Sequence, residues 1–158
     1  MNILKVAVGF VLGVATAVAG ILYFLPKKML TVHKSRLGFD ETVTAVQEEA
    51  EKRGWNVPKV YDIQTTLAKA DHTDMNRIKI VSICQPHHAY NILKPDDNKF
   101  VAGMMPCRVG IFETEEGEVY VSEMNLGLMS KLFSPSIRDV MGIVAAEEQE
   151  MISGIVIE

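Results

Sequence analysis

Hydrophobic positions along this chain fall into two regimes, an unbroken apolar block at the start and periodic patterns everywhere after it. Val6 to Leu25 is a run of twenty residues without a charge, long enough to cross a bilayer as one helix. Tyr23 and Phe24 followed by Pro26, Lys27 and Lys28 form an aromatic and basic boundary of the kind found at headgroups. The pattern predicts an anchor over residues 1–28 and a folded domain over 29–158. A cleaved secretory signal is the alternative, because Lys5 precedes the run and Ala17-Val18-Ala19 has the small-x-small form of a cleavage site. The run continues through Ile21 to Leu25, past the roughly 7–15 apolar residues usual in a removable signal, which favours retention at the cell membrane as a single-pass anchor. The near flanks tie in positive charge, Lys5 and the amino terminus against Lys27 and Lys28, so the side of the soluble domain stays open. Gly9, Gly13 and Ala17 recur every four residues and give this helix a stripe on which another helix can pack closely.

Beyond the block, Leu30–Arg36 suggests a strand. Phe39, Val43, Val46 and Ala50 then recur at helical spacing, with Asp40 and Glu41 at the positive end of the dipole, Lys52 and Arg53 in the last turn and Gly54 free to take the left-handed cap. Trp55–Asp62 and the alternating Arg77–Cys84 read as the second and third strands. Pro86 can open a short helix through Ile92, since a proline at the first helical position lacks no hydrogen bond it needs. Asp96-Asp97-Asn98 marks a loop. Phe100–Glu113 and Glu118–Met124 read as strands around the turn Thr114–Gly117, with Pro106 expected at a bulge or edge because it cannot donate to a ladder. Ile137, Val140, Met141, Val144, Met151, Ile152 and Ile155 share one stripe of a long C-terminal helix, leaving Glu147, Glu148 and Glu150 for its solvated side. The order β-α-β-β-β-β-α predicts an α+β domain, an antiparallel sheet with helices gathered on one face.

Charge narrows the function only by exclusion. Sixteen basic against twenty acidic residues, without a basic block, leave nucleic acid no electrostatic footprint. No nucleophile elbow, phosphate-binding glycine loop or His-Glu-x-x-His is present, the pattern names no cofactor, and His33 and His72 are expected as solvated residues.

Sulfur and imidazole give the one chemical alternative. Cys84 shares a strand face with Ile78 and Ile80, and Cys107 shares one with Val109 and Ile111, so both are expected to point toward the helix-covered side. They fit buried apolar thiols, a disulfide in an oxidising compartment, or, with His87 and Met105, a soft-metal or haem site. On the opposite face Arg108 lies alongside Gly110 and Phe112, and with Tyr120 these make candidate ligand-binding residues: a planar guanidinium fork beside an aromatic and a gap. The ordinary alternative for Arg108 is a cross-strand ion pair with Glu113, Glu118 or Glu123.

The blocks Ser82-Ile83-Cys84-Gln85-Pro86, Met104-Met105-Pro106-Cys107-Arg108-Val109-Gly110-Ile111-Phe112, Gly117-Glu118-Val119-Tyr120-Val121 and Asn125 to Phe133 together resemble the domain of unknown function 302 family. The resemblance covers residues 30 to 156. It implies a TATA-binding-protein-like or helix-grip α+β fold and domains that pair as homodimers, and it carries no agreed reaction, ligand or catalytic residue. The expectation is a membrane-anchored accessory or binding protein, a homodimer or a subunit of a membrane complex, with the metal or haem site as the competing reading.

Overall fold

A computed structural model describes residues 3–157. Helix α1 runs Ile3–Lys28; the side chains of Lys5 and Val6 lie outside the described part. From Ala7 onward it is long and apolar enough to cross a membrane, and none of that span is buried against the rest of the chain. It passes into β1 (Leu30–Lys34) after a single residue.

Five strands form one antiparallel sheet in the order β1-β5-β4-β3-β2, where β2 is Asn56–Asp62, β3 Ile78–Cys84, β4 Cys107–Glu113 and β5 Val119–Met124. Strands β2 to β5 therefore follow one another as a meander. Helix α2 (Phe39–Lys52) carries the chain from β1 at one edge to β2 at the other. Its ends have the expected chemistry. Glu41 accepts from the Gly38 N–H at 3.1 Å, and Gly54, at φ +74°, completes a Schellman turn in which Trp55 N donates to Ala50 O and Gly54 N to Glu51 O, both at 2.9 Å.

Cross-strand register fixes the two faces. Val81 lies opposite Val109 and Ile111 opposite Val121, and these four residues are buried. They meet Phe39, Val43, Val46 and Ala50 of α2 and Ile137, Met141, Val144, Met151 and Ile152 of α6 (Pro135–Ser153), so the helices cover one face as the stripes predict. The other face carries Ile80, Ser82, Arg108, Gly110, Phe112, Tyr120 and Ser122 in register.

Several expectations are corrected. The fourth strand starts at Cys107; Phe100 belongs instead to a 3-10 helix over Asp96–Met104, which buries only Asn98 and Val101 and ends before Pro106. Pro106 thus precedes a central strand, neither bulged nor at an edge. The ladder irregularity falls in edge strand β2, between Asn56 and Lys59, where Pro58 lacks an N–H. Two short helices without apolar periodicity join the predicted set, α3 (Ile63–Ala68) and α5 (Leu126–Met129). Helix α4 (Pro86–Leu93) begins at its proline as expected, with Gln85 Oε1 accepting from His87 N and His88 N.

Antiparallel pairing sends the start of β1, the end of β5, the start of β4, the end of β3 and the start of β2 to the same end of the sheet. That end adjoins α1. Asn125, the N-cap of α5, receives Leu128 N on its Oδ1 (2.9 Å), donates Nδ2 to the Lys28 carbonyl (3.1 Å) and donates its own N–H to the Met29 carbonyl (2.8 Å). The junction between helix and domain is thereby hydrogen-bonded.

Candidate functional site

Three ionisable groups shifted by burial, Cys107, Glu123 and Glu148, gather at the α1-proximal end of the sheet. Glu148 on α6 is 5 % exposed. Residues 137, 141, 144, 148, 151 and 152 form the buried stripe of α6, and Glu148 takes the position where spacing calls for an apolar side chain. This overturns the expected solvated side. Glu147 is also engaged: its Oε2 accepts from Trp55 Nε1 at 2.9 Å and its Oε1 lies 3.0 Å from His88 Nε2.

Glu148 faces two groups presented by the sheet. Cys107, first residue of β4, lines one cavity with it, and Glu123 near the end of β5 lies close enough to act on it by charge. Burial pushes the Glu148 carboxyl up to about 7; the nearby Cys107 thiol opposes that shift and the Glu123 charge adds to it. Burial likewise pushes Glu123 up to about 7 against a hydrogen bond from Thr31, whose hydroxyl donates to Oε1 at 3.5 Å. Glu123 Oε2 is buried without a partner, an arrangement that favours the protonated acid. Burial also pushes the Cys107 thiol far up, with the Glu148 charge acting in the same direction, so it is a neutral thiol rather than a nucleophile.

Two cavities meet at this group. One, of about 60 Å³, is apolar and lined by Trp55, Cys84, His88, Met105, Cys107 and Met141 among others. The second, of about 380 Å³, is more open and is lined by Leu30, Met105, Cys107, Glu123, Leu126 and Glu148 among others. An apolar pocket with a few convergent polar groups is the common form of a small-molecule site.

The sulfur cluster read from the sequence is only partly assembled. Cys84, Met105 and Cys107 line the same apolar cavity, but His87 is exposed and His88 takes the lining position. Among the described residues no three of His, Cys, Asp and Glu are placed to hold a metal ion. Both cysteines are free thiols. The expected common face is also corrected, since Ile83 lies opposite Cys107 and Ser82 opposite Arg108; Cys84 therefore belongs by parity to the open face and reaches the cavity from the strand end. Sequence reasoning missed Glu123 and Glu148 as a pair.

The open face carries Arg108, Gly110, Phe112 and Tyr120 together. Phe112 and Tyr120 stack at 5.5 Å with planes 16° apart. Arg108 is exposed, and none of the ion pairs among the described residues uses it: Arg77 holds Glu113 with Nη2–Oε1 at 2.7 Å, Lys34 holds Glu118, and Glu123 points to the covered face. The gap at Gly110 is ordinary, for a Cβ there would meet Ser122 O at 3.6 Å. On α1, Gly9 and Gly13 have open space where a Cβ would stand.

The family model described as "Domain of unknown function DUF302" matches residues 30–158. The chain belongs to the DUF302 family. The matched residues begin at β1, and α1 lies outside them. The chain is similar in structure to an uncharacterized conserved DUF302 protein from Bacillus stearothermophilus, known from its crystal structure, with TM-score 0.71 and 14 % identity over 79 % of this chain and 96 % of that one. At that identity the likeness speaks for the fold. No curated protein matches the chain.

Proposed function

We propose that this protein is a bilayer-tethered binding protein: α1 is retained as a single-pass anchor, and the DUF302 domain holds a small ligand at its α1-proximal end, in the cavity where Cys107, Glu123 and Glu148 converge. The observation that carries the tether is that the apolar span of α1 buries nothing against its own domain. Leaving such a surface in water is unfavourable by roughly 25 cal/mol per Å², and a bilayer of about 30 Å hydrocarbon thickness matches a helix of this length. Alkaline extraction of membranes from cells making the full chain tests it. The protein is expected to pellet at high pH, to be released by detergent, and to keep its residues before Ala19. Recovery in the alkaline supernatant, or a mature amino terminus just after Ala19, overturns the reading.

The small-residue stripe Gly9, Gly13 and Ala17 and the unpaired face around Arg108, Phe112 and Tyr120 support self-association, or docking on a larger membrane complex, as part of the same reading. Light scattering on the detergent-purified protein reads it directly, a strict monomer speaking against a homodimer.

A further inference from the structure

Exposed apolar side chains occur over the whole domain, Val32, Leu37, Ile143 and Ile157 among them, but the four most exposed share one end. Phe100 and Leu132 are each 66 % exposed, and Leu30 and Tyr90 are exposed as well. All four lie in segments at the α1-proximal end: the start of β1, the α4 and 3-10 stretch between β3 and β4, and the 3-10 turn Ser130–Leu132 after α5. Phe100 and Phe133, from two different connections, stack at 6.2 Å with planes 27° apart, so the patch has a built aromatic centre. Lys27, Lys28, Lys99 and Lys131 flank it in sequence; Lys99 is paired with Asp96. At the opposite end lie the Thr114–Gly117 hairpin and the loop carrying Met75.

We propose that this end of the domain seats on the lipid bilayer, with Phe100, Leu132 and Phe133 entering the interfacial layer and the lysines meeting headgroup phosphates. It rests on the reading of α1 as a retained anchor. Three observations select lipid rather than another occupant. The patch adjoins the last turn of α1, where Tyr23 and Lys27, with the ammonium 3.9 Å from the ring centroid, have the composition of an interfacial belt. Lys28 O and Met29 O are hydrogen-bonded to Asn125, which immediately precedes the α5–Phe133 stretch and limits how far the patch can lift from the helix end. Apolar and aromatic groups set beside Lys27, Lys28 and Lys131 match an anionic bilayer surface. The cavity with Cys107, Glu123 and Glu148 is lined from this same end, by Leu30, Met105 and Leu126.

Quenching by brominated lipid tests the seating on the full chain in phosphatidylcholine–phosphatidylglycerol nanodiscs. Leu132→Trp and Phe100→Trp place reporters on the patch, Met75→Trp places one at the far end, and the buried Trp55 gives a background common to all. Interfacial side chains sit about 5–10 Å into the boundary of headgroups and acyl chains, so added emission from L132W and F100W is expected to fall by roughly half in dibrominated lipid while that of M75W is unchanged. L132W and F100W quenched no more than M75W, in protein that has entered the nanodiscs, overturn the seating and leave the anchor standing. Protein that fails to enter the nanodiscs overturns both.

Discussion

Glu148 on α6 and Cys107 at the first residue of β4 line one cavity, which brings together two groups that are both neutral when protonated. Glu123 stands within charge range of the same carboxyl, so ionising one makes ionising the other harder. The pair is thus a store of protons near neutral pH.

That store gives stability a definite pH dependence. A carboxyl near 4.5 in the unfolded chain and about 7 when folded keeps its proton only in the native state over the intervening range. Stability falls as pH rises through that window and levels off above it, by at most about 3 kcal/mol for Glu148. Thermal midpoints of the full chain in detergent are expected to decline from about pH 5 to pH 7.5. Glu148→Gln, neutral and of similar shape, is expected to flatten the decline and raise the midpoint at pH 8. A slope identical to that of the unsubstituted protein would show that Glu148 is ionised and solvated.

Glu147, one residue earlier, hydrogen-bonds Trp55, just before β2, and His88 on α4. Trp55 is 2 % exposed and donates its indole N–H to this carboxylate. Glu147→Ala leaves that donor buried without an acceptor, at a cost of about 1–3 kcal/mol. Glu147→Gln keeps an acceptor and is expected to lose much less. Urea unfolding followed by Trp55 fluorescence distinguishes them, and equal midpoints for E147A and E147Q would remove the hydrogen bond from the account.

How much of this was readable from sequence depends on whether a residue obeys its local period. Helix α2 was legible because stripe, dipole charges and Gly54 cap agree, and the faces of β4 were legible because Val109 and Ile111 alternate with Arg108 and Gly110. Helix α3 was not, since it buries none of its residues and so leaves no apolar stripe. Phe100 and Val101 look like the beginning of a strand, yet only Val101 turns inward, and Phe100 is left at the surface. Glu148 was misread because a carboxylate on a helix ordinarily marks the wet side. Its spacing of four from Val144 and three from Met151 was the available signal, and it was outweighed by residue type.

Thiol reactivity should separate the two cysteines. Both thiols are half-buried and burial raises both, Cys107 the more strongly and with the Glu148 charge acting in the same direction. Because the thiolate is the reacting form, iodoacetamide at pH 8 is expected to modify Cys84 first and Cys107 more slowly. Peptide mass spectrometry over time reads both sites. Cys84→Ser is expected to abolish the fast phase, and equal labelling rates would show that the Cys107 thiol is held no higher than that of Cys84.

Arg108 and Arg77 offer a matched comparison on neighbouring strands. Arg77 forks onto Glu113, reaches Asp40 at 3.2 Å and lies 4.6 Å from the Phe39 ring centroid, tying the sheet to the first turn of α2. Arg108 has none of these partners and stands exposed beside the Phe112–Tyr120 stack. Arg77→Ala is therefore expected to lower the thermal midpoint clearly. Arg108→Ala should leave it within about 3 °C, as surface substitutions away from such contacts do. If the open face is where copies of the chain or a larger complex meet, the same R108A protein will show a lower assembled mass by light scattering at equal concentration. A midpoint shift as large as that of R77A, with the mass unchanged, would make Arg108 a structural residue and take the working surface away from this face.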